Sequence, residues 1–195
     1  MASTITKETT RVAPIAAPEV PETASKARYA WALARITLGL YFLWAFLDKT
    51  FALGWATGRN PETGLVDRFG EAAWINGGSP TFGFLNFGTN GPFAGFFQSF
   101  AGAAWADWLF MIGLLGIGVA LILGVGVKIA AVSGAAMMAL MYAAAPILEH
   151  NPVIDDHVVY AIVLIGLMLA GAGRTWGLGR RWSQTTIVQR FPILE

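Results

Sequence analysis

The sequence contains no cysteine and few charged residues, and both deficits exclude classes of function. Without a thiol among its 195 residues, the chain has no disulfide, no cysteine nucleophile and no cysteine-ligated zinc or iron–sulfur cluster. Charged residues make up 13%, against about 25% in average soluble proteins. The formal net charge of +1 gives nucleic-acid binding no electrostatic support. The glycine-rich phosphate-binding motifs of nucleotide-binding proteins are also missing, so we expect no nucleotide site.

Apolar residues take the place of the missing charges. They make up 55% of the chain, and the mean hydropathy is +0.56. They are concentrated in four segments, roughly residues 29–55, 103–123, 127–148 and 157–172. About 20 apolar residues cross the hydrocarbon core of a bilayer, and the short glycine turn at 124–126 predicts an antiparallel hairpin. We therefore expect an all-α, polytopic membrane protein, built as a bundle of four transmembrane helices.

The flanking segments and their charges suggest how the bundle is oriented. Residues 1–26 are rich in Thr, Ala, Pro and Glu without an apolar period, which predicts a flexible cytoplasmic tail rather than a cleavable signal peptide. The membrane domain is expected at 27–182 and a cytoplasmic C-terminal tail at 183–195. With four crossings, most Lys and Arg residues fall on one side. The positive-inside rule then places both termini in the cytoplasm.

The connection between the first two segments, about 57–102, is long and rich in phenylalanine. Phe93, Phe96, Phe97 and Phe100 recur with helical spacing, so we expect an interfacial helix on the outer membrane face. Turns and irregular backbone are expected just before it, at 77–91. The loop is interpreted either as a lid over a site between the helices or as a structural cap anchored by lipid contacts.

The first apolar segment carries three charges, Arg35, Asp48 and Lys49. The uncharged run between them, 36–47, is too short to cross a bilayer. Charges within a membrane are costly and by default suggest a functional site. Arg35 and Lys49 share one helix face but lie about 21 Å apart at about 1.5 Å per residue, too far to bind one small ligand together. We expect Arg35 to snorkel to the cytoplasmic head groups.

Lys49, Asp48 and Asp107 are the candidate catalytic residues, near the outer end of the bundle. Asp107 is expected at the depth of Lys49 and as its partner, or else as a helix N-terminal carboxylate favoured by the dipole. Lys49 could bind an anionic or quinone-type head group, with Asp48 moving a proton. The alternatives are an interface pair with another helix and an oligomer contact. Trp105 and Phe46 would complete the ligand-binding set with Lys49 and Asp107.

The acidic and histidine-containing loop from Glu149 to His157 is a weak candidate for a metal or proton-transfer site. Its potential ligands include His150, Asp155, Asp156 and His157. The simpler interpretation is a turn, with Asp155 as the N-cap of the following helix and Asp156 favoured by its dipole. The chain has only two histidines, and we expect neither a resident metal nor a haem.

Two stretches resemble the DoxX family of small four-helix membrane proteins, especially members of the actinobacterial type. They are ARITLGLYFLWAFLDKTFALGWATG at 34–58 and NPVIDDHVVYAIVLIGL at 151–167, and the resemblance covers about 27–182. It implies a bacterial plasma membrane and a membrane redox system. DoxX- and DoxD-type subunits are associated with thiosulfate:quinone oxidoreduction, and other members with oxidative-stress complexes. Quinone is the cofactor or ligand that this setting suggests, and no catalytic motif is carried over.

Three functions remain open at this point. The first is an integral membrane subunit of a quinone-linked redox system, related to sulfur compounds or oxidative stress. The second is a non-catalytic scaffold or accessory subunit that holds a protein partner or further copies of itself in the bilayer. The third is a small transporter, which is weakened by the lack of an inverted repeat or a broken helix.

Overall fold

The computed structural model describes residues 22–145, 151 and 153–195, and over this part of the chain its regular structure is helical. One isolated bridge between Arg59 and Val66 is the exception among these residues. The α-helices are α1 (Glu22–Phe51), α2 (Ala94–Gln98), α3 (Ala104–Leu123), α4 (Val127–Ala144), α5 (Asp156–Leu169), α6 (Gly179–Trp182) and α7 (Thr186–Arg190). Short 3-10 turns lie at Trp74–Asn76, Ala172–Arg174 and Pro192–Leu194, and a π-helical turn at Phe84–Gly88.

Three of these helices are long and apolar enough to cross a membrane: the Lys26–Phe51 part of α1, then α3 and α4. The shorter α5 has 14 residues, which is about 21 Å at 1.5 Å per residue, against a hydrocarbon core of about 30 Å. The all-helical membrane class is therefore confirmed, but only three of the four expected spans are found among the described residues.

The helices pack in sequence, α1 against α3, α3 against α4, and α4 against α5. The first of these crossings is a backbone contact at Gly39 and Gly118. A Cβ atom on Gly118 would lie 2.9 Å from the backbone nitrogen of Leu43, and one on Gly39 would lie 2.9 Å from that of Ile122. Only glycine lets the two helices approach this closely.

Glycines also allow close packing at other helix crossings, although not every helix glycine lies at a crossing. A Cβ atom on Gly134 of α4 would lie 2.9 Å from the Leu164 side chain of α5, and Gly166 makes room for the ring of Trp31. Gly116 of α3, by contrast, faces open space. The largest buried apolar side chains at the centre are Phe42, Met111, Leu121, Leu164 and Leu167.

The packed helices have two ends, which we name after the charges of α1. The Lys49 end holds the last turn of α1, the connection 52–103, the first turn of α3 and the end of α4. There the backbone N–H groups of Asn90 and Gly91 donate to Ala144 O. The Arg35 end holds the turn 124–126 between α3 and α4, and the segment 171–195.

Several predicted boundaries differ from the observed ones. The predicted N-terminal tail falls largely in residues 1–21, outside the described part; α1 is helical from Glu22, and its membrane-length apolar part begins at Lys26. α1 ends at Phe51 because the chain turns through positive φ at Ala52 (51°) and Gly54 (94°). α4 was predicted to reach residue 148, yet its last residue is Ala144; residues 146–150 are not described. α5 stops at Leu169, shortly before the positive φ of Gly171.

The phenylalanine-rich connection forms a shorter helix than its pattern predicts. α2 has five residues, and the predicted stripe splits between two environments. Phe97 is buried with Leu85 and Ala144, whereas Phe93 and Phe96 are exposed. A π-helical turn at Phe84–Gly88 interrupts the stretch 77–91, whose residues 77–81 and 89–91 are turns or irregular backbone as expected.

The segment 183–195 folds against the Arg35 end. It contains α7 and the turn at Pro192–Leu194, with Val188 buried. The indole Nε1 of Trp182 donates to Leu194 O at 2.6 Å, and Lys128 Nζ donates to Pro192 O at 3.1 Å. The predicted tail is therefore part of the packed structure.

Candidate functional site at the Lys49 end

Asp48 is buried, at 1% exposure, and its carboxylate holds the turn that follows α1. Its Oδ1 accepts the backbone N–H of Trp55 at 3.0 Å, and its Oδ2 accepts that of Ala56 at 2.9 Å. Both oxygens are thereby engaged. This geometry gives Asp48 an anchoring contact with the turn, while each oxygen keeps a second lone pair, so its predicted role in proton transfer stays a prediction.

Asp107 holds a second point of the same connection. It lies in the first turn of α3 and is 7% exposed. Its Oδ1 accepts the hydroxyl of Ser79 at 2.9 Å, and the backbone N–H and hydroxyl of Thr81 at 3.1 and 2.6 Å. The position in the first helical turn agrees with the alternative of a dipole-favoured carboxylate.

The expected pair of Lys49 and Asp107 is not formed. The ion pairs of the described residues join Lys128 and Arg174 to Glu195 and His157 to Asp155, and none includes Lys49. The physical reason is competition within the loop, because three donors from residues 79–81 gather at the carboxylate. The expectation that Lys49 and Asp107 lie at a similar depth agrees better with the structure, since Lys49 lies against Phe110, one helical turn after Asp107.

Lys49 is half-buried, and its environment is aromatic. Its Nζ lies 5.9 Å from the centroid of the Phe110 ring, near the outer limit for a cation–π contact. Phe46, one turn earlier on the same face of α1, is partly buried against the core together with Phe110. The arrangement offers an ammonium group that lies beside apolar rings and forms no salt bridge in the described part of the chain.

The remaining predicted ligand-binding residue, Trp105, points elsewhere. Its side chain is 59% exposed, and its ring contact is with Phe100 at 5.3 Å between centroids. The structure thus brings Lys49 and Phe46 together, adds Phe110, and separates Asp107 and Trp105 from them. Helical spacing from Asp107 to Phe110 was the signal that could have found the missing residue.

The connection 52–103 is fastened at both of these carboxylates. Asp48 fixes its start and Asp107 fixes residues 79–81, while Phe69 N–H donates to Phe51 O at 2.9 Å. These contacts favour the interpretation as a structural cap over that as a movable lid.

The acidic and histidine-containing loop acts as a helix cap where the structure describes it. The Asp155 side chain accepts the backbone N–H groups of His157 and Val158, and its Oδ2 lies 2.8 Å from His157 Nδ1. The predicted N-cap is confirmed, and Asp156 lies exposed in the first turn. Glu149 and His150 lie outside the described residues. Among the described residues, no group of three potential ligands could hold a metal ion.

Arg35 does not snorkel, and that prediction was wrong. Its side chain is 0% exposed, and the guanidinium donates to Leu121 O, to Ile122 O at 3.0 Å, to Thr175 O at 3.2 Å and to Trp176 O at 2.9 Å. The first two acceptors are carbonyls in the last turn of α3, which lack partners within the helix and carry its negative partial charge. Arg35 therefore braces α1 against α3 and the segment after α5.

Glycines make this brace possible, and they are the signal that sequence analysis missed. A Cβ atom on Gly124 would lie 2.9 Å from Arg35 Nη1, and one on Gly177 would lie 3.1 Å from Nη2. A Cβ atom on Gly173 would meet Gly124 O at 2.6 Å. The glycine-rich sequence AGAGRTWGLGR at 170–180 is what lets backbone close around a buried guanidinium.

Comparisons of the chain with protein-family models, curated protein sequences and solved structures find no match. The resemblance to the DoxX family therefore remains an expectation, and the function is argued below from the chain's own residues.

Proposed function

We propose that the chain is a four-crossing integral protein of a bacterial plasma membrane, with both termini on the cytoplasmic side. The path of α5 supports a fourth crossing. Near its start, Tyr142 of α4 donates its hydroxyl to Val153 O at 2.6 Å, and beyond its end Gly173 packs on Gly124 at the Arg35 end. The helix therefore runs from one end of the bundle to the other.

The lack of cysteine supplies a direct test of this topology. A single thiol introduced by Thr63→Cys, in the exposed part of the 52–103 connection, or by Gln189→Cys, in α7, is the only labelling site in its variant. A membrane-impermeant maleimide should label Thr63→Cys in intact cells and Gln189→Cys only after lysis. Labelling of both variants in intact cells would mean that α5 does not cross.

Within that topology, we propose that the protein is an integral subunit of a membrane redox system and binds a quinone or an anionic head group at Lys49. The observation that carries this proposal is the half-buried ammonium beside Phe110, which forms no salt bridge among the described residues. An ammonium can donate hydrogen bonds to a quinone oxygen or an oxyanion. The rings of Phe46 and Phe110 provide apolar surface beside it. The resemblance to DoxX proteins supplies the redox setting.

Quinone titration of the purified protein tests this role. A hydrogen bond to a charged group contributes about 1.5–3 kcal/mol, so Lys49→Met should weaken binding by roughly 10- to 150-fold. Lys49→Arg keeps the charge and should retain most of the affinity. Lys128→Met removes a cation at the opposite end and serves as the control. Equal affinity in wild type and Lys49→Met would remove the basis of the proposal.

A second candidate is a non-catalytic membrane scaffold. It is favoured by the engagement of Asp48 and Asp107 with the loop, which gives both buried carboxylates a structural role. If the protein is a scaffold, it should remain in a complex when it is extracted from the membrane. Extraction in a mild detergent followed by mass determination should then find a protein partner or several copies, whereas a lone monomer that binds quinone would favour the first function.

A further inference from the structure

A cavity of about 360 Å³ lies at the Arg35 end, between the first turn of α4 and the segment that follows α5. Two cations line it, Lys128 from α4 and Arg174 from the 3-10 turn after α5, and Glu195 lies with them. The rest of its lining is glycine or apolar, including Val127, Met168 and Leu169. The cavity therefore combines two positive charges with an apolar wall.

The carboxylate of Glu195 bridges the two cations. Its Oε2 accepts Lys128 Nζ at 3.1 Å, and its Oε1 accepts Arg174 Nη2. The backbone N–H of Lys128 also donates to Glu195 O at 2.9 Å. Glu195 is therefore held at this end by both cations and by the backbone N–H of Lys128.

Two features indicate that the cations can accept another anion. Their side chains are 36% and 58% exposed, so the pair is reachable from outside. Exposed ion pairs contribute only about 0–1 kcal/mol each, so the carboxylate that occupies them is held weakly. Hydrogen bonds from Arg174 and then Lys128 lower the pKa of Glu195 below its usual range, which keeps it charged at neutral pH.

We propose that Lys128 and Arg174 form a binding site for a phosphate group, which the carboxylate of Glu195 occupies in this structure and which a ligand gains by displacing it. Arginine and lysine are the side chains that proteins use most for phosphate, with the guanidinium able to donate two parallel hydrogen bonds. The apolar wall, with Leu169 78% exposed, suits a phospholipid whose phosphate binds the cations. A free phosphate ester presents the same group.

Displacement would also loosen the segment that carries Glu195. That segment is held at the Arg35 end by the bond from Trp182 Nε1 to Leu194 O and by that from Lys128 Nζ to Pro192 O. The site therefore couples anion binding to the docking of residues 186–195, independently of the quinone role proposed for Lys49.

Binding of fluorescent phosphatidylglycerol to the full chain in neutral detergent and phosphate-free buffer tests the proposal. Glu195→Gln should bind roughly three- to tenfold more tightly, because two weak ion pairs no longer compete. Lys128→Met combined with Arg174→Gln should lose most of the binding. Arg180→Gln combined with Arg181→Gln removes the same two charges from exposed positions outside the cavity and should bind like wild type.

Competition with inorganic phosphate and glycerol phosphate distinguishes the sources of the ligand. Competition by both identifies a site for free phosphate groups, and competition by unlabelled phosphatidylglycerol alone identifies a head-group site; either result supports the proposal. Equal binding by wild type, Glu195→Gln and the double variant would overturn it. So would a loss in the double variant without a gain in Glu195→Gln, since the carboxylate would then not occupy the site. The expected gain cannot result from misfolding.

Discussion

Replacing Arg35 with methionine should destabilise the protein through the carbonyls that it leaves unpaired. Four backbone oxygens accept from the guanidinium, two in the last turn of α3 and two at Thr175 and Trp176. Trp176 is 60% exposed, so water can replace the donors on that side more easily. The bond to Leu121 O is buried and that to Ile122 O is partly buried, and each unsatisfied buried group costs about 1–3 kcal/mol.

Removing the arginine also relieves one unfavourable contribution to the free energy of folding. Its Nε is buried without a partner among the described residues, and burying an unpaired polar group itself costs about 1–3 kcal/mol. The net loss expected for Arg35→Met is therefore about 2–4 kcal/mol, below the sum over all four carbonyls. The free energy of unfolding of Arg35→Lys should lie between those of the wild type and Arg35→Met, because one ammonium cannot reach both pairs of carbonyls from a single point.

Unfolding in mixed micelles with increasing mole fraction of SDS measures this free energy directly. Arg180→Met is the matched control, since it removes an exposed arginine at the same end and should change the free energy of unfolding by less than about 0.5 kcal/mol. If Arg35→Met were as stable as this control, the guanidinium would not brace the helices, and the refutation would restore snorkelling as the explanation of its position.

Three further predictions concern other contacts. Asp107→Ala should lower the free energy of unfolding by about 2–4 kcal/mol and speed amide exchange at Thr81. Asp107→Asn keeps an acceptor oxygen and should lose less stability. Unchanged exchange in the alanine variant would contradict the anchoring role of Asp107. Gly118→Ala should destabilise the protein by about 1–3 kcal/mol, because the added Cβ meets the α1 backbone. Gly116 faces open space, so Gly116→Ala should not destabilise it. Equal midpoints of SDS unfolding for the two variants would argue against the close crossing of α1 and α3. Because its folded pKa is lowered, Glu195 stabilises the docked segment above its unfolded pKa and loses this contribution as pH falls through the folded value. Amide protection at Lys128 should therefore decrease in acid in wild type and be low throughout in Glu195→Gln; identical profiles would contradict the bridge.

The positions of the long helices could be predicted because hydropathy is a property of local sequence. The segment predicted at 103–123 is α3 almost to the residue, since an uninterrupted apolar run ends at a glycine that adopts positive φ. Periodicity also placed Arg35 and Lys49 on one face, and that face is the packed one, with Phe42 buried between them.

The partners of the charges could not be predicted in the same way. Arg35 and Asp48 are satisfied by backbone groups, and a backbone carbonyl or N–H has no signature in the sequence. Asp107 binds Ser79 and Thr81, 28 and 26 residues away along the chain, across a connection whose path depends on several turns. Pairing by charge and depth alone favoured Lys49, because that reasoning counted only ionised partners.

The Arg35 brace also has a consequence for the order in which the protein is made. Its two α3 acceptors follow it by 86 and 87 residues, and the other two by 140 and 141. At about 5–20 residues per second, the ribosome needs roughly 7 to 28 s to reach the last of them. Throughout that interval the guanidinium of the first helix has no complete set of acceptors. Assembly of the Arg35 end therefore waits until Thr175 and Trp176 have been made.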